Sequence, residues 1–182
     1  MLFRSGMDTF PTDDYTENDL RRIFDKVRGG STLHPQEVAQ LQGGLLFELA
    51  VMDSEKGWTQ QFHIGPIRNP NTRMFRRLGP DTGYDAIGDK PCAEAGHRFF
   101  DRLESRGALA KTILYNLNPK DFEVLAAMAY SFNDGSVPGK MQLGSAWWFL
   151  DQERGMRHQI DTLSAFGLLG RFVGLLTDSR SF

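Results

Sequence analysis

Four groups of residues have the types and spacing to do chemistry. His63 follows a short apolar run and stands just before Gly65-Pro66, which stop regular structure. An imidazole at a strand end suits general acid–base work, although on type alone a single histidine is more often a core or surface residue. Arg68 and Arg73 bracket an Asn-Pro-Asn turn. A guanidinium is a planar fork that binds a carboxylate through two hydrogen bonds, while Arg73, Arg76 and Arg77 read equally well as decoration of an exposed helix face. Asp178 and Arg180 lie two apart in the segment TDSR. Period-two alternation puts them on one face if the strand reaches that far; the alternative is an N-cap aspartate followed by a surface arginine. Trp147 and Trp148 are adjacent, so both cannot point into one core, and at least one should reach a pocket mouth. His34, His97 and His158 lie in or beside helical patterns without metal-ligand spacing and read as solvated.

These groups need elements to hold them. Gln61–Asp89 is too long for an ordinary connection, and a segment of that length in a compact domain is functional or disordered. Its anchors Ile64, Ile67, Met74, Phe75, Leu78, Tyr84 and Ile87 argue for an ordered loop after a buried strand. Upstream, Thr16 sits as N-cap before ENDLRRIFDKV with Asp19 in the capping-box position. Leu20, Ile23, Phe24 and Val27 then mark one helical face. Gly29-Gly30 ends this helix, and Pro35 occupies the first turn of the next, about Gln36 to Glu55. Its positions Val38, Leu41, Leu45, Leu46, Leu49 and Met52 recur helically and are expected to pack on a sheet. Strands are expected at Trp58–Ile64, Lys111–Asn116, Lys140–Gly144 and Phe172–Thr177, with helices over Cys92–Arg106, Pro119–Phe132 and about Gln152–Leu169. Strands alternating with amphipathic helices imply βαβ units and a parallel sheet in sequence order. In this scheme residues 1–182 form one domain, with 1–57 a helical lead-in and 58–182 the βα units.

At 182 residues the chain is long enough to bury a core. A net charge of −2 provides no field for nucleic acid or an anionic membrane. One cysteine, Cys92, rules out an internal disulfide and a thiolate zinc pattern. That usage fits a cytoplasmic protein, and no apolar run approaches the ~20 residues of a membrane span.

The segment HIGPIRNPNTRMFRRLGPDTGYDAIGD (His63–Asp89) resembles the corresponding stretch of uronate (glucuronate) isomerases, in the amidohydrolase superfamily. KTILYNLNP, GKMQLGSAWWFLDQERGM and FVGLLTDSRSF resemble the same family, in the same order. The resemblance implies an α/β fold that is part of a TIM-type (β/α)8 barrel, roughly strands five to eight with their helices and without the helix after strand eight. Such barrels carry their chemistry at the carboxyl ends of the strands and typically need ~250 residues, so the chain is expected to be the second half of one. The family has an Asp-His pair before the glycine matching Gly6, where this chain has Arg4 and Ser5; Met1–Ser5 is therefore expected not to be family sequence.

The resemblance also implies roles. His63 would be an active-site residue and Asp178 a metal ligand and proton-transfer group. Arg180 would contact substrate, and Arg73, Arg68, Trp148 and Trp147 are further candidates for binding it. The implied reaction interconverts D-glucuronate with D-fructuronate, and D-galacturonate with D-tagaturonate, through an enediol in sugar-acid catabolism. The superfamily's divalent metal, usually zinc, would be bound chiefly by a His-x-His pair on strand one, and no two of the four histidines here stand two apart. The chain alone is expected to be inactive and not to hold the metal stably. A metal-dependent hydrolase of the same superfamily and a non-catalytic sugar-acid-binding half-barrel are the alternatives. With Trp58–Ile64 and Phe172–Thr177 expected as open edges, self-association should follow.

Overall fold

The chain opens with a strand, β1 (Leu2–Met7), in the computed structural model, which describes residues 2–11 and 13–174. The expected helical lead-in over residues 1–57 therefore begins with a strand, ahead of its two helices. β1 pairs in parallel with β2 (Thr59–Ile64), from Leu2 opposite Thr59 to Met7 opposite Ile64. A six-residue strand carries little local signal, and it forms because a full parallel ladder satisfies its backbone. Trp58–Ile64 is consequently no open edge, since its strand is paired on both sides.

Between these strands lie α1 (Glu17–Arg28) and α2 (Pro35–Glu55). The capping box at α1 forms as expected: the Asp19 N–H donates to Thr16 Oγ1 at 3.2 Å, and the Thr16 N–H to Asp19 Oδ2 at 3.0 Å. The inward face of α2 differs from expectation. Gly43, Gly44, Phe47, Ala50 and Val51 are buried, whereas Val38, Leu45, Leu49 and Met52 are exposed. Close approach decides this. A Cβ at Gly44 would lie 2.5 Å from Leu20 Cδ1, and one at Gly43 would lie 3.2 Å from Pro11 Cβ. The bare backbone lets α1 and the entry loop sit against α2, so its glycine face turns inward; of the expected stripe, Leu46 still packs on the core while Val38, Leu45, Leu49 and Met52 turn out.

The long segment after β2 is ordered. It holds β3 (Pro66–Ile67), α3 (Thr72–Leu78) and β4 (Ala86–Ile87), with β3 and β4 antiparallel. Asn71 caps α3 by accepting the Met74 N–H at 3.2 Å. The chain continues through α4 (Ala93–Ser105), β5 (Thr112–Asn116), a 3-10 turn at Pro119–Asp121, α5 (Phe122–Ser131), β6 (Met141–Leu143) and α6 (Glu153–Phe166). These match the expected helices and the second and third expected strands to within a few residues. Of the fourth expected strand, Phe172 to Gly174 is irregular, and the remainder lies outside the described residues.

The main sheet runs β1-β2-β5-β6, every neighbour parallel and in sequence order. Helices cover one face. Phe62 on β2 meets Phe10, Phe99 and Phe100, each with ring centroids 5.7 Å away. Phe10, Phe100, Leu103, Leu114 and Leu125 are fully buried around them. Gln60, two residues before Phe62, reaches the same layer, donating to the Ala50 carbonyl at 3.1 Å.

Candidate active site

Because Gln60, Phe62 and Ile64 face the helices, alternation turns Gln61 and His63 to the other side of the sheet. There, at the carboxyl ends of β1 and β2, a cleft of about 1200 Å³ opens, lined by Met7, His63, Arg68, Lys90, Trp147 and Trp148 among others. Parallel α/β sheets place ligands at this end. A smaller depression of about 290 Å³ lies near α5, β6 and α6 under Tyr130 and Phe166; its lining is mostly apolar and holds no carboxylate, imidazole, lysine or arginine, so chemistry belongs to the first cleft.

His63 is buried and held by aromatic neighbours. Its partner across the parallel pair is Tyr115, and the two rings stack at 4.5 Å with an interplanar angle of 5°. Trp147 meets the imidazole edge-on at 4.6 Å and 81°. The Trp147 indole N–H donates to the Asn116 carbonyl at 2.9 Å, which ties the loop after β6 to the end of β5. Gly144 makes this possible, because a Cβ there would lie 2.4 Å from a Tyr115 ring carbon.

The adjacent tryptophans both line the cleft, their ring centroids 5.5 Å apart and tilted by 53°, and Trp148 takes φ +53°, a conformation rare for a bulky residue. Such strain marks functional segments more often than others. Trp148 stacks on Phe149 at 5.3 Å, and the Arg68 guanidinium lies 5.5 Å from its ring centroid, within cation–π range.

Arg68 leaves β3 at the cleft and is paired with two carboxylates from the far side of the ordered loop. It hydrogen-bonds Asp81, and its Nε lies 3.4 Å from Asp85 Oδ2. Asp85 also accepts the Asn69 backbone N–H at 2.7 Å. At the rim, Lys90 bonds Asp8 at 2.5 Å. Burial acts to raise the Asp8 pKa, but the hydrogen bond and charge of Lys90 outweigh it and hold the carboxyl below its ordinary value.

The structure thus brings together His63, Arg68, Trp147 and Trp148. Arg73 stands exposed on α3 and is not among the cleft's lining residues. Asp178 and Arg180 lie outside the described residues. Among the described residues no group of three or more His, Cys, Asp and Glu side chains is placed to hold a metal ion. His63, enclosed by Tyr115 and Trp147, does not make up a ligand set with them. No helix among the described residues is long and apolar enough to cross a membrane.

Tyr115 was legible only as a strand residue of KTILYN, although aligning the two strand ends by register sets it beside His63. The pairing of Asp8 with Lys90 had no sequence signal, since 82 positions separate them. Asp81 and Asp85 belong to no motif that would single them out of the loop.

Known proteins share this fold. The family model described as glucuronate isomerase matches residues 4–182. The uronate isomerase of Bacteroides fragilis is 58% identical over 177 residues, and that of Cellvibrio japonicus 53%. In both cases the match covers 97% of this chain and 38% of the relative, so the chain spans about two fifths of the length of these relatives. The crystal structure of uronate isomerase from Thermotoga maritima superposes with a TM-score of 0.85 at 28% identity, covering 98% of this chain and 38% of that one. Glucuronate isomerase from Caulobacter crescentus gives 0.82 at 25% identity, covering 98% and 36%. The match takes in Arg4 and Ser5, within the stretch expected to fall outside the family, as well as the ordered loop and all four parallel strands, and the chain belongs to the glucuronate isomerase family.

Proposed function

We propose that the cleft is the sugar-acid site of an aldose–ketose isomerase that interconverts D-glucuronate with D-fructuronate and D-galacturonate with D-tagaturonate, this chain forming part of the site. The observation that carries the reading is the convergence of His63, Arg68 and Trp148 at the carboxyl end of a parallel sheet. The reaction moves a proton between C2 and C1, so it needs an acid–base group beside the sugar chain and a cation for the carboxylate. His63 is the acid–base candidate, with its ring plane held by Tyr115 and Trp147. Arg68 supplies a guanidinium for the carboxylate, and the aromatic faces of Trp147 and Trp148 suit the apolar faces of a sugar. Asp178 and Arg180 are proposed as proton-transfer group and second carboxylate contact; Arg73, exposed on α3, is given no substrate contact.

Family membership implies a metal-dependent enzyme, and zinc is the metal we propose, with Asp178 as one ligand. The finer architecture proposed is the strand-five-to-eight half of a (β/α)8 barrel. The Val173 N–H donates to Gln142 Oε1 at 2.8 Å, which holds Val173 beside β6. A cytoplasmic role in hexuronate catabolism follows from the reaction.

Calorimetric titration of the chain with D-glucuronate, D-galacturonate and D-glucose tests the reading. The two uronates are expected to bind and to perturb the His63 and Trp148 resonances, with D-glucose much weaker. Equal binding of D-glucose, or perturbations confined to another face, would overturn it.

A further inference from the structure

We propose that Asp81 is a displaceable carboxylate that holds Arg68 until an incoming hexuronate carboxylate takes its place, so that Asp81 sets affinity and carboxylate selectivity at the cleft. The inference rests on the hexuronate reading above and adds to it a residue that lies beyond the cleft wall. Arg68 is one cation facing two carboxylates, Asp81 and Asp85, so the trio carries a net negative charge. A third carboxylate brought to the same guanidinium meets that charge and is repelled, unless one resident anion leaves.

The two residents are not equivalent. Asp85 is fixed: its side chain is only 7% exposed, and the Asn69 N–H holds its other oxygen at 2.7 Å. Asp81 is 57% exposed, so releasing it to water costs little desolvation. The loop that carries it is flanked by Gly79 and Gly83, both at positive φ and with open space where a Cβ would stand. Asp81 itself sits at φ +60°, a conformation that its pairing with Arg68 helps to retain. A carboxylate in an unpacked loop, presented to an arginine at a cleft, mimics a carboxylate ligand. Exchange would leave Arg68 with Asp85 and the substrate, the same two-anion balance as before.

The test is Asp81→Asn, which removes the charge and tolerates the same backbone conformation. Kd values for D-glucuronate are measured by calorimetry at low ionic strength for wild type, D81N, R68Q and the double variant, with D-glucose as the ligand lacking a carboxylate. D81N is expected to bind D-glucuronate up to about fivefold tighter, the scale of an exposed ion pair. The gain should vanish in the R68Q background, shrink in high salt and be absent for D-glucose. A purely structural role for Asp81 would shift both sugars alike. If wild type binds and R68Q loses D-glucuronate while D81N equals wild type, the exchange is refuted and the hexuronate reading stands. If no variant binds D-glucuronate, both are refuted.

Discussion

The imidazole of His63 and the phenol ring of Tyr115 lie face to face, 4.5 Å apart and within 5° of parallel, on neighbouring strands of one parallel sheet. The stack depends on a glycine, because a Cβ at residue 144 would stand 2.4 Å from a Tyr115 ring carbon. Gly144→Ala is therefore expected to force Tyr115 aside and to cost about 1–3 kcal/mol as an overpacked core does. Urea denaturation reads the stability, and the carbon-bound ring protons of His63 report the ring current of the tyrosine. Unchanged His63 resonances in a folded G144A chain would mean that the stack does not orient the imidazole.

Glu37, the second residue after Pro35 in α2, ties this helix to α1. It accepts from Lys26 at 2.5 Å, from Arg22 at 2.9 Å and from the His34 N–H at 3.1 Å. The Lys26 hydrogen bond leads in lowering its pKa from 4.5 to about 2. A depressed folded pKa means that this contribution is fully present above about 4.5 and is lost as pH falls toward about 2. Glu37→Gln should flatten that part of the acid-denaturation curve. An identical acid limb in wild type and E37Q would exclude Glu37 as a contributor.

Cys92 is buried beneath the start of α4, and burial, followed by the nearby Asp121 carboxylate, pushes its thiol up to about 11. A thiol reagent is expected to leave the folded chain unmodified at neutral pH and to react fully after denaturation, because the thiolate is the nucleophile. Rapid labelling under native conditions would contradict the burial.

Turnover of D-glucuronate by the 182-residue chain is expected to be absent, with or without added zinc. None of its four histidines forms a His-x-His pair, and groups that act as a unit do not leave additive residues of activity. A coupled assay for D-fructuronate decides the matter; turnover above that of an Asp178→Asn control would refute it.

Self-association is expected as well, by a different route from the one the strands suggested. β1 protects the outer side of β2, but Phe24, Val27, Val38, Leu45, Leu49 and Met52 on α1 and α2 are exposed. Several large apolar side chains exposed on two neighbouring helices favour association in isolated chains. Light scattering over a dilution series should show a mass above 20.6 kDa that falls in a Leu45→Glu, Met52→Lys variant. A monomer at every concentration would show that these side chains cover one another.

Much of the local structure was legible because local free energies decide it. The Thr16–Asp19 box, Pro35 at a first turn and the glycine after α6 mark helix ends through hydrogen bonds that close within four residues. Phe62 and His63 on opposite faces follow from alternation alone once the strand is placed. The motif around His63 likewise carried the family, since four separated segments agree in order.

Other features were decided by contacts that no local pattern encodes. Helical spacing makes the apolar stripe of α2 its inner face, yet Gly43, Gly44, Phe47, Ala50 and Val51 are the residues buried, because α1 and the entry loop approach too closely at Gly43 and Gly44 for any side chain there. β1 was missed because its ladder to β2 spans helices rather than a turn, so no hairpin chemistry sets its register. The partners of Arg68 come from 13 positions onward and beyond, through a loop whose path depends on α3 and the β3–β4 pair. The amino-acid sequence by itself determined α1, α2, α4, α5 and α6, the strands β2, β5 and β6, and the family to which the chain belongs. Only the tertiary structure decided which faces meet and which charges pair, because those choices depend on packing between residues far apart in the chain.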